Sequence, residues 1–105
     1  MSEPAQAATP ARAMRVVVVT PERSLYDQRT GSGGGEATSV VVPAYDGLVG
    51  ILPRHAPFLA LLGTGELVVR ADDGEHRFRV AGGFVQVVDN VVRVVAEKAE
   101  PVVRA

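Results

Sequence analysis

His55 and His76 are the only imidazoles in this 105-residue chain, which has no cysteine. His55 lies a few residues after Tyr45 and Asp46, and pairing with either would make an acid–base unit. No serine or other nucleophile stands beside either histidine, and a zinc site would need three or four ligands. Without cysteine there is no disulfide, thiol catalysis or thiolate metal site. Gly31, Gly33, Gly34 and Gly35 resemble a phosphate loop only in composition. Such a loop needs Lys-Ser/Thr and a helix after its last glycine. Here Glu36 and a valine-rich run follow, and a carboxylate repels phosphate. The sequence therefore predicts no catalytic, cofactor-binding or metal residues.

The elements that would position these side chains are strands. Twenty residues are valine and five are aromatic. The branched Cβ of valine favours a pleated, half-buried surface. Residues 1–13, rich in Ala and Pro, read as a disordered tail. Residues 14–105 form one domain. Its expected strands are Arg15 to Thr20, a short edge strand from Ser24 to Asp27, Glu36 to Pro43, Phe58 to Leu62, Glu66 to Ala71, Glu75 to Val80, Phe84 to Val88 and Val91 to Ala96. Pro101 to Ala105 reads as a short tail or a last edge strand. Gln28 to Glu36 reads as a glycine-rich insertion at a hairpin tip.

Asp72-Asp73-Gly74 signals a hairpin. Within Glu75–Val80, His76, Phe78 and Val80 share one face while Arg77 and Arg79 share the other, a solvated one. Gly63-Thr-Gly65 is expected to be a turn. Gly82-Gly83 is expected to break the run as a bulge or corner. Gly47-Leu-Val-Gly-Ile-Leu-Pro-Arg-His-Ala-Pro57 is expected to be an ordered loop, braced or capped by His55. Around it Leu48, Val49, Ile51, Leu52, Phe58, Leu59, Leu61 and Leu62 carry more apolar bulk than a loop needs. Most must enter the core, and the surplus marks a docking patch. The fold class is all-β, a sandwich or flattened barrel.

The formal net charge is −1 and the eleven basic residues are scattered. Nucleic-acid binding relies on clustered Lys and Arg, so no such partner is expected. No apolar run approaches the ~20 residues that span a bilayer, so no direct membrane insertion is expected. The N-terminus has no signal-peptide pattern.

Val-Val-Thr20-Pro-Glu-Arg-Ser-Leu-Tyr26, Ser39-Val-Val-Val-Pro43, Asp46 through Pro57, Ala81-Gly-Gly-Phe84 and Val91–Ala96 follow one another in that order. Together they resemble the N-terminal β domain of the epsilon subunit of F-type ATP synthases. The resemblance implies a sandwich of about ten strands in two sheets. It implies a non-catalytic central-stalk subunit of the rotor, joining the gamma subunit to the c-ring and coupling proton flow to ATP synthesis. It places the chain on the cytoplasmic side of the energy-coupling membrane, as a peripheral part of the complex.

By the same resemblance Asp46, Gly47, Leu48 and Arg54 would face the c-ring. Thr20, His55, Ala60 and Ala81 would lie toward gamma. Leu48 stands where the family often has a carboxylate, and Arg54 where it often has glycine. No helical pattern follows Ala96, so the family's C-terminal helical hairpin is expected to be missing, and with it any ATP binding. A stand-alone β-sandwich adaptor is the alternative reading, and a small enzyme using His55 and Asp46 a third.

Overall fold

The computed structural model describes residues 14–27, 37–72 and 74–102, and these are all strand and turn. The expected tail and the whole of the Gln28–Glu36 insertion lie outside the described residues. Eight strands follow in order: β1 (Arg15–Val19), β2 (Ser24–Asp27), β3 (Ala37–Ala44), β4 (Gly47–Ile51), β5 (Phe58–Leu61), β6 (Thr64–Ala71), β7 (Gly74–Val88) and β8 (Val91–Pro101). They form one hydrogen-bonded sheet in the order β2-β1-β8-β7-β6-β3-β4, with β5 also on β7. All pairs are antiparallel except β1 with β8.

The sheet folds over onto itself. Val16 and Val18 of β1, Val40 and Val42 of β3, Leu67 and Val69 of β6, and Val92 and Val94 of β8 are buried in one core. Tyr26, on edge strand β2, meets His76 and Phe78 of β7, with ring centroids 5.0 and 6.0 Å apart. Met14 donates to the Ala37 carbonyl at 2.9 Å, and Ala37 donates back at 3.3 Å, which ties the start of β1 to the start of β3. The all-β sandwich expected from valine spacing is therefore present, left unclosed at its edges.

The strand count differs from ten because two strands are long. β7 has 15 residues and β8 has 11. The first half of β7 pairs with β6, and its second half pairs with β5. Each long strand thus serves both layers. Gly82-Gly83 is a corner and not a break or a bulge, because the β7–β8 register continues from Ala81↔Lys98 to Gly83↔Ala96 without an extra residue. Both glycines have positive φ, +71 and +105. The inward set then changes parity, from Phe78 and Val80 to Val85 and Val87.

Gly63-Thr-Gly65 is not a turn either. Leu62 donates to Gly83 at 3.0 Å and Gly82 donates to Gly63 at 3.3 Å, so β5 runs into β6 along the same partner. The third difference is β4. The segment after Asp46 is a strand through Ile51 because Leu48, Val49, Gly50 and Ile51 pair with Pro43, Val42, Val41 and Val40. Only Leu52–Pro57 is loop. β6 and β7 form the expected hairpin, with Ala71 opposite Gly74.

Candidate functional site

The loop after β4 is built on backbone groups. The Leu52 carbonyl accepts His55 N–H at 3.1 Å. Arg54 sits at φ +68, a left-handed conformation, and donates its N–H to Asn90 Oδ1 at 2.8 Å. The Asn90 carbonyl accepts Arg15 N–H at 3.2 Å. One turn residue, itself at φ +65, therefore gathers the loop, the β7–β8 hairpin and the start of β1. His55 Nδ1 lies 2.7 Å from the Ala56 carbonyl. A carbonyl only accepts, so this contact puts the ring proton on Nδ1. The ring also packs on Phe58, 5.0 Å between centroids. His55 braces the loop.

Asp46 lies in the turn at the opposite end of β4, about 13 Å of strand away at ~3.3 Å per residue. The structure does not bring it to His55. It likewise separates Arg54 from Asp46, Gly47 and Leu48, and puts Arg54 in the same turn as His55. Thr20 ends β1. Its Oγ1 accepts the N–H groups of Glu22 and Arg23, both at 3.3 Å, and its own N–H bonds to the Arg23 carbonyl at 2.8 Å. Ala81 lies beside the Gly82-Gly83 corner, opposite Thr64 and Lys98. Ala60 sits opposite Val85 and packs against the core. Among the described residues no group of three or more His, Asp or Glu is placed to hold a metal ion.

What the fold does assemble is a pair of unlike outer faces. On the β6–β7 layer Arg77 donates to Glu66 at 2.9 Å and also pairs with Glu75. Arg70 and Arg79 are exposed there too. The other layer carries one apolar row on its outside, beside a row that holds Gln86 and Arg93. Leu61 lies opposite Phe84, Phe84 opposite Val95, and Val95 opposite Val19. Their neighbours Ala60, Val85, Val94 and Val18 point inward, so this row points out. Leu59 and Leu61 are each 65% exposed. Tyr45, 79% exposed, joins the row by donating its N–H to the Leu61 carbonyl at 2.8 Å. The surplus of leucines seen in the sequence is partly here, while Ile51 and Leu62 are buried. Phe84, Val95 and Val19 were not legible as surface, because their place in the row comes from pairing across four strands.

A sheet folded over one core, with an apolar row on one outer face, defines the two-layer β-sandwich class. The family model for the ATP synthase delta/epsilon chain β-sandwich domain matches residues 13–102, and the chain belongs to that family. It is 40% identical over 87 residues to the ATP synthase epsilon chain of Leptospira borgpetersenii, a match covering 83% of this chain and 63% of that one. It is 42% identical over 89 residues to that of Rhodopirellula baltica, covering 85% and 64%. The chain thus spans less than two thirds of these relatives' length. A chain in the cryo-EM structure of the Euglena gracilis mitochondrial ATP synthase shares the fold, with TM-score 0.73, 22% identity, and 88% and 54% of the two chains covered. Another, in the Tetrahymena thermophila mitochondrial ATP synthase central stalk and c-ring, matches with TM-score 0.67 and 20% identity, covering 88% and 69%.

Proposed function

We propose that this chain is a non-catalytic central-stalk subunit of a proton-translocating rotary ATP synthase, joining the gamma subunit to the c-ring. The observation that carries the reading is the family match across nearly the whole sandwich. The apolar row supports it, since a part that transmits torque needs a stiff body and a surface to grip. In this reading the row Leu61–Phe84–Val95–Val19 and the nearby Thr20 and Ala81 contact gamma. The Asp46–Leu48 turn faces the ring, and Arg54 and His55 act together at the far end of β4. Ala60 acts through its exposed neighbours Leu59 and Leu61. The subunit is peripheral, on the cytoplasmic side of the membrane.

The test is size exclusion of the chain with purified gamma subunit. A stoichiometric complex is expected. Leu61→Asp should weaken it at least about tenfold while folding stability changes by no more than about 0.5 kcal/mol, as for an exposed site. A complex indifferent to Leu61→Asp removes the row from the interface. No complex with gamma, and an intact synthase that lacks this polypeptide, refutes the function itself.

A further inference from the structure

The face that carries the apolar row changes character along its strands. One step beyond Leu61–Phe84–Val95 come Leu59, Gln86 and Arg93, each opposite the next. The following step brings Val88, Val91 and Arg15. Val16, Val18, Val92 and Val94 are buried, so Arg15 and Arg93 alternate outward with the row. At ~3.3 Å per residue Arg93 lies about 7 Å and Arg15 about 13 Å from it, in the same direction. On the other side of the row, two residues past Val95, Glu97 is exposed.

A third arginine reaches the same end through Asn90. Asn90 Oδ1 accepts the Arg54 N–H at 2.8 Å, and the Asn90 carbonyl accepts the Arg15 N–H at 3.2 Å. Arg15, Arg54 and Arg93 are all exposed. The acids placed near them are Asp89, in the turn, and Asp27, across β1 opposite Val17. Three arginines against two acids leave this end positive in a chain whose net charge is −1. On the opposite layer each arginine is answered. Arg77 pairs with Glu66 and Glu75, Arg79 stands opposite Glu66, and Arg70 opposite Glu75. Arg15 stands opposite Val91, and Arg93 opposite Val17 and Gln86. Among the described residues no ion pair holds Arg15, Arg54 or Arg93.

We propose that Arg15, Arg54 and Arg93 form a recognition site for an acidic segment of the partner that covers the apolar row. Its carboxylates lie about 7–13 Å from its apolar anchor along the strand direction, and they fork onto the guanidinium groups. This rests on the reading that gamma covers the row. The apolar row supplies the hold. The arginines steer the encounter and fix polarity, because a partner laid end for end would bring its carboxylates to Glu97.

Association of the full chain with purified gamma, followed by surface plasmon resonance at about 50 mM and about 500 mM salt, tests it. The triple change Arg15→Gln, Arg54→Gln and Arg93→Gln should slow association about tenfold at low salt and dissociation by less than about threefold. At high salt the triple variant and the native chain should associate alike. Arg15→Gln alone should slow association about threefold, whereas Arg70→Gln, which removes the same charge from the opposite layer, should stay within about twofold. Circular dichroism checks folding, and the single changes decide the matter if the triple variant unfolds. A triple variant that associates at the native rate overturns the proposal and leaves gamma as the partner, as does an Arg70→Gln variant as slow as Arg15→Gln. Binding to phosphatidylglycerol vesicles that the triple change abolishes, with gamma association unmoved, also overturns it and assigns the arginines to a lipid surface. No complex with gamma at either salt overturns the underlying reading as well.

Discussion

Gly83→Ala is the sharpest perturbation of this fold. Gly83 has φ +105, well outside the left-handed well near +50 to +70° that other residues tolerate. Holding alanine there costs about 1–3 kcal/mol. The added Cβ would also overlap the Val95 carbonyl and stand 2.9 Å from Ala96 Cα. Both belong to the backbone of β8, which is bonded in register to β7 on either side and cannot yield locally. Overpacking of this kind adds about 1–3 kcal/mol. The sum, about 2–6 kcal/mol, is a large share of the ~5–15 kcal/mol that a domain of this size has.

Gly82→Ala is the built-in control. Its φ of +71 is near the tolerated well, and its Cβ meets Glu97 Oε1, the far end of a flexible side chain, at 2.5 Å. That change should cost about 1 kcal/mol, and adding Glu97→Ala should recover part of it. Urea unfolding with unchanged m-values reads both effects. A Gly83→Ala cost within about 0.5 kcal/mol of the Gly82→Ala cost refutes the corner as the reason for this glycine pair.

Two further tests address the other end of the sandwich. Asn90→Ala should destabilise by about 2 kcal/mol, combining strain at φ +65 with loss of the acceptor for Arg54 N–H. Asn90→Gly should cost less because it removes only the acceptor, and equal losses in the two variants argue against the strain. Arg54→Gly keeps the backbone bond to Asn90 and relieves φ +68, so thermal unfolding should shift upward by about 0.5–1 kcal/mol worth of stability. A downward shift would mean that the arginine side chain itself supports the fold.

Pattern recognition succeeds here where one face of a strand alone decides burial. Phe78 and Val80 were separable from Arg77 and Arg79 by simple alternation, and Ala71 and Gly74 by the turn chemistry between them. It fails where glycine is ambiguous. Gly63, Gly65, Gly82 and Gly83 read as interruptions, yet the pairing runs through them, because glycine serves a bend within a strand as readily as a turn between strands. Gly47 and Gly50 likewise disguised β4 as loop. The row Leu61–Phe84–Val95–Val19 joins four distant segments, and nothing local marks its members as neighbours.

The amino-acid order by itself determined an all-β domain, the hairpin between β6 and β7 and the residues that had to seek burial, since these follow from branched side chains, alternation and turn preference over a few neighbouring residues. Tertiary structure alone decided that β7 and β8 serve both layers, that Arg54 and Arg15 meet at Asn90, and which apolar side chains stay outside. Those outcomes depend on registers between segments far apart in the chain, and a register is set by the mutual fit of whole strands around one core.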